Sequence, residues 1–386
     1  MFLCYVLSIW AVSTSPGVAQ TVVSPAGRIT VGSVEEFGQA LAGGGQAGTI
    51  ALKPGIYDEL AIRSASAEPA IGIVAADPSN RPIVRRLTIS GSRNVTLEGL
   101  RFLGVGRETA ETFLAEIRQS QNIRILKSEF GAPQGPMANA TSAIRAIDVT
   151  TLQIADNVID DLRRGVVLDR ARGAVIAHNL FLRLDIDGVA IAQSDGVTLD
   201  SNRFDAFRPE TVGSRHFVQM STRQTSTPSQ NIQITRNVML QSEGEGISGV
   251  FLGNEDKRPY ENIEVSKNII VSGSPHGITL DLANNSSITD NMVLSAVQSV
   301  YKSAIRLQNA RNSEVSRNLA VAYGYSGSQG IVSRRNVTMP TQNNLTRRRA
   351  LDRTLEGLKQ SSGAYPVQAG HAVLPEHRAA GPRPSS

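Results

Sequence analysis

Between residues 166 and 307 the chain repeatedly places two apolar residues either side of a third, which is small or polar in four of six copies: Val166/Leu168, Val189/Ile191, Val218/Met220, Val250/Leu252, Ile278/Leu280 and Ile305/Leu307. Alternation with period 2 predicts strands with one interior and one solvent-facing side. A second phrase of the same kind follows each pair and also occurs three times before the first: "NVTLEGLRF" at Asn94, "NIRILKSEF" at Asn122 and "LQIADNVI" at Leu152, then "AVIAHNLF" at Ala174. The phrase returns as "GVTLDSNRF" at Gly196, "NIQITRNVML" at Asn231, "NIEVSKNIIV" at Asn262, "SSITDNMVL" at Ser286 and "SEVSRNLAV" at Ser313. Self-similarity of this kind marks a solenoid, in which no coil buries its apolar side until another stacks on it.

One polar residue recurs within the phrase, as Asn157, Asn179, Asn202, Asn237, Asn268, Asn291 and Asn318, with Gly99 and Ser128 assigned to the same slot in the first two copies. Asparagine tolerates the left-handed backbone of a one-residue bend, so the bend is assigned to these asparagines, with their amides bonded in a ladder along the stack. Successive spacings are 22, 23, 35, 31, 23 and 27 residues. The shorter ones fit one turn of three short strands; the two long coils project extra residues.

The predicted class is all-β: a right-handed parallel β-helix with a short N-terminal capping helix. The segment "SVEEFGQALAGGGQAGTIALKPGIY", Ser33 to Tyr57, and the repeats resemble the pectate-lyase-like superfamily, which includes polysaccharide lyases, mannuronan epimerases and tailspike depolymerases. The resemblance covers residues 30–340 or so, and specifies fold far more strongly than reaction. It implies a glycan lying along the strand that precedes the asparagine-bearing phrase.

Composition adds boundaries. The single cysteine, Cys4, falls in an apolar segment ending in small residues before Gln20, so residues 1–19 read as a signal peptide and the protein as secreted or periplasmic. The β-helix domain is assigned to residues 28–340 and a basic, Pro/Ser/Gly-containing tail, with a possible short helix, to 341–386. Of the net charge of +5, the excess lies in the last part of the chain: from Arg334 onward there are nine Lys/Arg against three Asp/Glu. The body is close to neutral, which argues against nucleic acid as a partner. After residue 19 no stretch has the apolar length to insert stably in a membrane.

Candidate chemistry gathers where the two long coils fall. Asp187, His216, Ser248 and His276 occupy equivalent positions at the starts of successive strands, which places the two histidines, two coils apart, roughly 10 Å from each other. Around them the reading places Gln219, Arg223, Glu255, Asp256, Lys257 and Tyr260, with Asp281 and Arg306 on the outward face. The pairs Asp160-Asp161 and Arg163-Arg164 read as a solvated turn. The resemblance suggests an acidic polysaccharide as partner and abstraction of the C5 proton of a uronic acid, by β-elimination or epimerisation. That chemistry needs a cation at the carboxylate, a base and an acid: Arg223, Lys257 or Arg306 as the cation, His216 or His276 as the base and Tyr260 as the acid. Gln219, Glu255 and Asp281 would contact substrate.

Two patterns of the superfamily are missing. Its epimerases carry Asp-Pro-His where this chain has Ala190 to Ala192, and the His-Pro-Asp of some secreted relatives is replaced by Ser214-Arg215-His216. A second reading is therefore a non-catalytic solenoid that binds or helps export polysaccharide through Gln219, Phe251, Thr279 and Gln308. A third is a glycoside hydrolase with Asp281 and Glu255 as paired carboxylates. No cofactor is expected. Calcium is a possibility near Asp256, although no Asp-x-Asp-x-Asp loop occurs.

Overall fold

The computed structural model describes residues 27–42, 48–105, 110–132, 140–207, 215–222, 225, 227–241, 246–297, 299–339 and 349. The proposed signal peptide and almost all of the basic tail lie outside the described residues. Three sheets of 14, 12 and 11 strands run the length of the solenoid, and their strands pair in parallel. One coil shows the plan: Arg172–Ala177 in the first sheet, Leu180–Leu182 in the second and Asp187–Ala192 in the third. Each pairs with its counterpart in the next coil, as in Val175↔Thr198, Phe181↔Phe204 and Val189↔Val218.

All six alternating pairs point inward and are buried, so period 2 located the core of the third sheet correctly. Phenylalanines of the second sheet stack inside it, Phe102 on Phe130 at 4.4 Å and Phe181 on Phe204 at 4.6 Å. The N-terminal end is closed by the helix Val34–Ala42, whose Phe37 is buried. Ser33 and Glu36 cap it reciprocally: Ser33 Oγ accepts from Glu36 N at 3.1 Å and Glu36 Oε2 accepts from Gly32 N at 2.6 Å.

The asparagine ladder is present, but its bend falls one residue earlier than expected. Lys127, Asp156, His178, Ser201, Arg236, Lys267, Asp290 and Arg317 take the left-handed conformation, with φ between 48° and 59°. The residues that follow them are buried and carry the bonds. In each rung the Oδ1 of one asparagine accepts both the backbone N–H and the side-chain Nδ2 of the preceding coil's asparagine, as between Asn179 and Asn202, both at 3.0 Å. The slot in the first coil belongs to Leu100, whose N–H reaches Ser128 Oγ at 3.1 Å, while Gly99 supplies the bend at φ 70°. Asn336 extends the ladder beyond Asn318, accepting at 3.0 and 3.1 Å.

The corner leading into the third sheet is tight. Gly165, Gly188, Gly249 and Gly277 each precede an inward residue, and a Cβ on Gly249 would sit 2.0 Å from Gly277 O and 2.7 Å from Ile270 Cγ2. Pairing of Asp187 with His216 and of Val189 with Val218 puts Phe217 opposite Gly188. Its coil is the one with the 35-residue spacing, and its ring is accommodated in the core 5.0 Å from Phe207 and 6.1 Å from Phe204.

Candidate functional site

Strand register aligns the chemistry-bearing residues in one column. Asp187 pairs with His216, and His216 with Ser248; the pairing of Val250 with Ile278 carries the column on to His276. Three residues further along these strands runs a second, outward-facing row, Ala190–Gln219–Phe251–Thr279, continued by Arg306.

Asp187 and His216 form a buried pair, His216 Nδ1 lying 3.0 Å from Asp187 Oδ1, with each side chain 3% exposed. A carboxylate at Nδ1 is an acceptor and selects the tautomer with its proton there, leaving the lone pair on Nε2. No hydrogen bond among the described residues occupies that Nε2. The other oxygen of Asp187 accepts from Arg164 Nε at 3.3 Å, and Arg164 Nη1 bonds both oxygens of Glu111 at 2.7 Å. Ser142 Oγ also donates to Glu111, at 2.8 Å. Arg164 is therefore no solvated turn residue: it bridges two carboxylates from different coils.

Phe251 separates the histidines. Its ring stacks on His216 with a centroid distance of 5.0 Å and meets His276 edge-on at the same distance. His276 bends back over its own strand to place Nδ1 3.0 Å from Thr279 Oγ1, which buries Thr279 completely although it belongs to the outward row. Burial, then the charge of Arg306, then that of His216 hold the His276 imidazole below its ordinary value, so it is neutral at neutral pH. Arg306 is half-buried and makes no hydrogen bond or ion pair with any described residue. A neutral imidazole, an aromatic surface and an unengaged guanidinium thus share one patch.

The remaining candidates are elsewhere. Tyr260 is fully buried, and its hydroxyl donates to Gly253 O at 2.6 Å. Burial, followed by the charges of Glu255 and Asp281, raises its pKa. It is a core residue that cannot touch a polymer, so its assignment as the acid is corrected. Glu255 and Lys257 belong to the exposed turn after Ile247–Leu252, at the far end of the strand from the histidine column. With a rise near 3.3 Å per residue, Leu252 already lies about 13 Å beyond Ser248. Glu255 accepts there from Ser221 Oγ and Thr222 N at 3.2 and 3.4 Å. Asp281 closes its strand at the same end and accepts from Asn309 Nδ2 at 3.1 Å. Gln219 stands beside Phe251 in the row, while Arg223 lies outside the described residues. Among the described residues no group of three or more His, Cys, Asp or Glu side chains is placed to hold a metal ion, and no helix is long and apolar enough to cross a membrane.

A family model described as "Right handed beta helix region" matches residues 86–291, more than half of the chain. The chain belongs to the right-handed β-helix family. No curated protein matches it. Solved structures similar to this β-helix include PfbA, a surface adhesin of Streptococcus pneumoniae, at 12% identity and a TM-score of 0.51 over 79% of this chain and 93% of that one. DFA-IIIase from Arthrobacter chlorophenolicus A6 without its lid is similar at 11% identity and a TM-score of 0.52, over 80% and 94% of the respective chains. Alginate lyase from Paenibacillus sp. str. FPU-7 is similar at 11% identity and a TM-score of 0.44, over 79% and 99%. At such identities the likeness is one of fold.

Proposed function

We propose that this β-helix is an exported carbohydrate-active protein whose patch of His216, Phe251, His276 and Arg306 takes a uronic acid residue of an acidic polysaccharide. The carrying observation is the Asp187–His216 pair with its unbonded Nε2 beside an aromatic ring and an unengaged arginine. Arg306 receives the carboxylate and lowers the cost of charge building at C5. His216 Nε2 takes the C5 proton while Asp187 stabilises the imidazolium that forms. In β-elimination the electron pair left at C5 forms the C4–C5 double bond as the C4–O bond breaks, and the leaving oxygen takes the proton that His216 Nε2 has accepted. In epimerisation a proton from water is delivered to C5 on the opposite side, and His216 releases the one it took to solvent. Export rests on the apolar segment at residues 1–19, and no metal or calcium enters these steps.

A second reading is binding without turnover. It is favoured by the burial of Tyr260, which removes the expected acid, and by the near-complete covering of His216. Ultraviolet absorbance of unsaturated uronate, and proton exchange at C5 in deuterated water, measured over alginate, pectate and bacterial exopolysaccharides, separate the readings. Product or exchange that disappears in His276→Ala and Arg306→Ala supports catalysis. Retention of polymer with neither signal supports binding alone.

A further inference from the structure

Asp187 divides its two oxygens between partners of opposite demand: Oδ1 faces His216 Nδ1 at 3.0 Å, and Oδ2 faces Arg164 Nε at 3.3 Å. A guanidinium beside a carboxylate ordinarily takes both of its oxygens in a parallel fork. Arg164 does not, because its Nη1 is drawn to both oxygens of Glu111 at 2.7 Å. Glu111 is in turn held by Ser142 Oγ at 2.8 Å and by the nearby Arg163, whose Nε is 3.7 Å away. The chain of contacts crosses the stack from Glu111 to His216, with Asp187 and His216 almost fully covered and Glu111 and Arg164 at 28% and 26% exposure. Contact with Glu111 is the shorter and the doubled one. It keeps the guanidinium from closing on Asp187.

We infer that Glu111 is a positioning residue for His216: by holding Arg164 away from Asp187 Oδ1 it reserves that oxygen for the imidazole and so fixes the proton on Nδ1. Without Glu111, Arg164 is free to engage both oxygens of Asp187, and His216 loses the acceptor that selects its tautomer. Without Arg164, Asp187 has no competitor for Oδ1 and the tautomer persists. Only the first deletion shifts the tautomer, although the two remove opposite ends of one ion pair. A purely structural pair would respond alike to the loss of either member.

The inference deepens the catalytic reading of His216, yet its test needs no substrate and can fail separately. In the full-length 15N-labelled protein, ring nitrogen shifts of His216, assigned by their loss in His216→Gln, report which nitrogen carries the proton. The wild type is expected to be protonated at Nδ1. Glu111→Ala is expected to raise the Nε2-protonated fraction several-fold, Arg164→Ala to leave it at the wild-type level, and the double variant to return to that level. If Glu111→Ala does not fold, Glu111→Gln, which keeps the shape and removes the charge, takes its place with the same expectation. Unchanged ring shifts in a folded Glu111 variant, or equal shifts on removing Arg164, overturn the inference. If the tautomer responds as expected while polymer is never processed, the positioning stands and the proposed reaction falls.

Discussion

Asn202 gives Asn237 two hydrogen bonds to a single oxygen: its backbone N–H reaches Asn237 Oδ1 at 2.9 Å and its side-chain Nδ2 reaches the same atom at 3.0 Å. The same side chain donates to Ile176 O at 2.8 Å and accepts from Asn179 N at 3.0 Å. Asn202→Leu therefore leaves the Asn179 N–H and the Ile176 carbonyl without these partners, in a fully buried stack. At about 1–3 kcal/mol for each of the two groups left unpaired, the loss is expected to total about 2–6 kcal/mol. Urea unfolding of the two proteins measures it, and equal midpoints would count against the ladder as a stabilising element.

Gly249→Ala tests the corner. The added methyl meets backbone, Gly277 O at 2.0 Å, as well as Ile270 Cγ2 at 2.7 Å, so relief requires the coils to shift. Overpacking of this kind costs about 1–3 kcal/mol or more. A lower melting temperature is expected, with a much smaller change for Gly38→Ala, where nothing lies within 4 Å.

The depressed His276 makes stability depend on pH. Its folded value lies below the ordinary imidazole value of about 6.5, so between the two the unfolded chain binds the extra proton and stability rises with pH. Its contribution is complete above the unfolded value. It is lost on acidification through about pH 6.5 toward the lowered folded value and is constant below that. Chemical denaturation across this range should show a shallower pH dependence in His276→Gln than in the wild type.

Arg306→Gln links charge to binding. Burial remains the larger influence on His276, but removal of the guanidinium takes away the next one, so the His276 titration followed by NMR should move upward. Retention of uronate polymer should fall in the same variant, with the wild-type advantage shrinking as salt is added. Retention equal to wild type at low salt would remove Arg306 from the site.

The parts of this molecule legible in its sequence are those set by local period. Val218 and Met220 announce their inward direction through alternation, and His216 and His276 share a register because the residues around them repeat. The links that convert the column into a site join residues distant in the chain. Glu111 and Arg164 lie 53 positions apart, and only the stacking of coils brings them together. One signal was available for Arg164: it precedes Asp187 by 23 residues, a single coil. Tyr260 misled because it follows a polar turn, although it begins the strand Tyr260–Ser266 and pairs with Ala283 inside the wall. The ladder bend was displaced by one residue because asparagine's tolerance of positive φ and its capacity to bond sideways are separate properties, and here only the second is used.

Every rung from Ser128 to Asn336 is made with the same polarity, each coil donating to an oxygen supplied by the next. A whole coil cut out between two asparagines would bring together an N–H and an oxygen of the same kind as those it separated, and a duplicated coil would do likewise. The ladder is thus indifferent to the number of coils. The histidine column is not, since loss of the coil bearing Phe251 would set His216 against His276 with no ring between them. Length is free to drift in this architecture everywhere except across the coils that carry Glu111, Arg164, Asp187, His216, Phe251, His276 and Arg306.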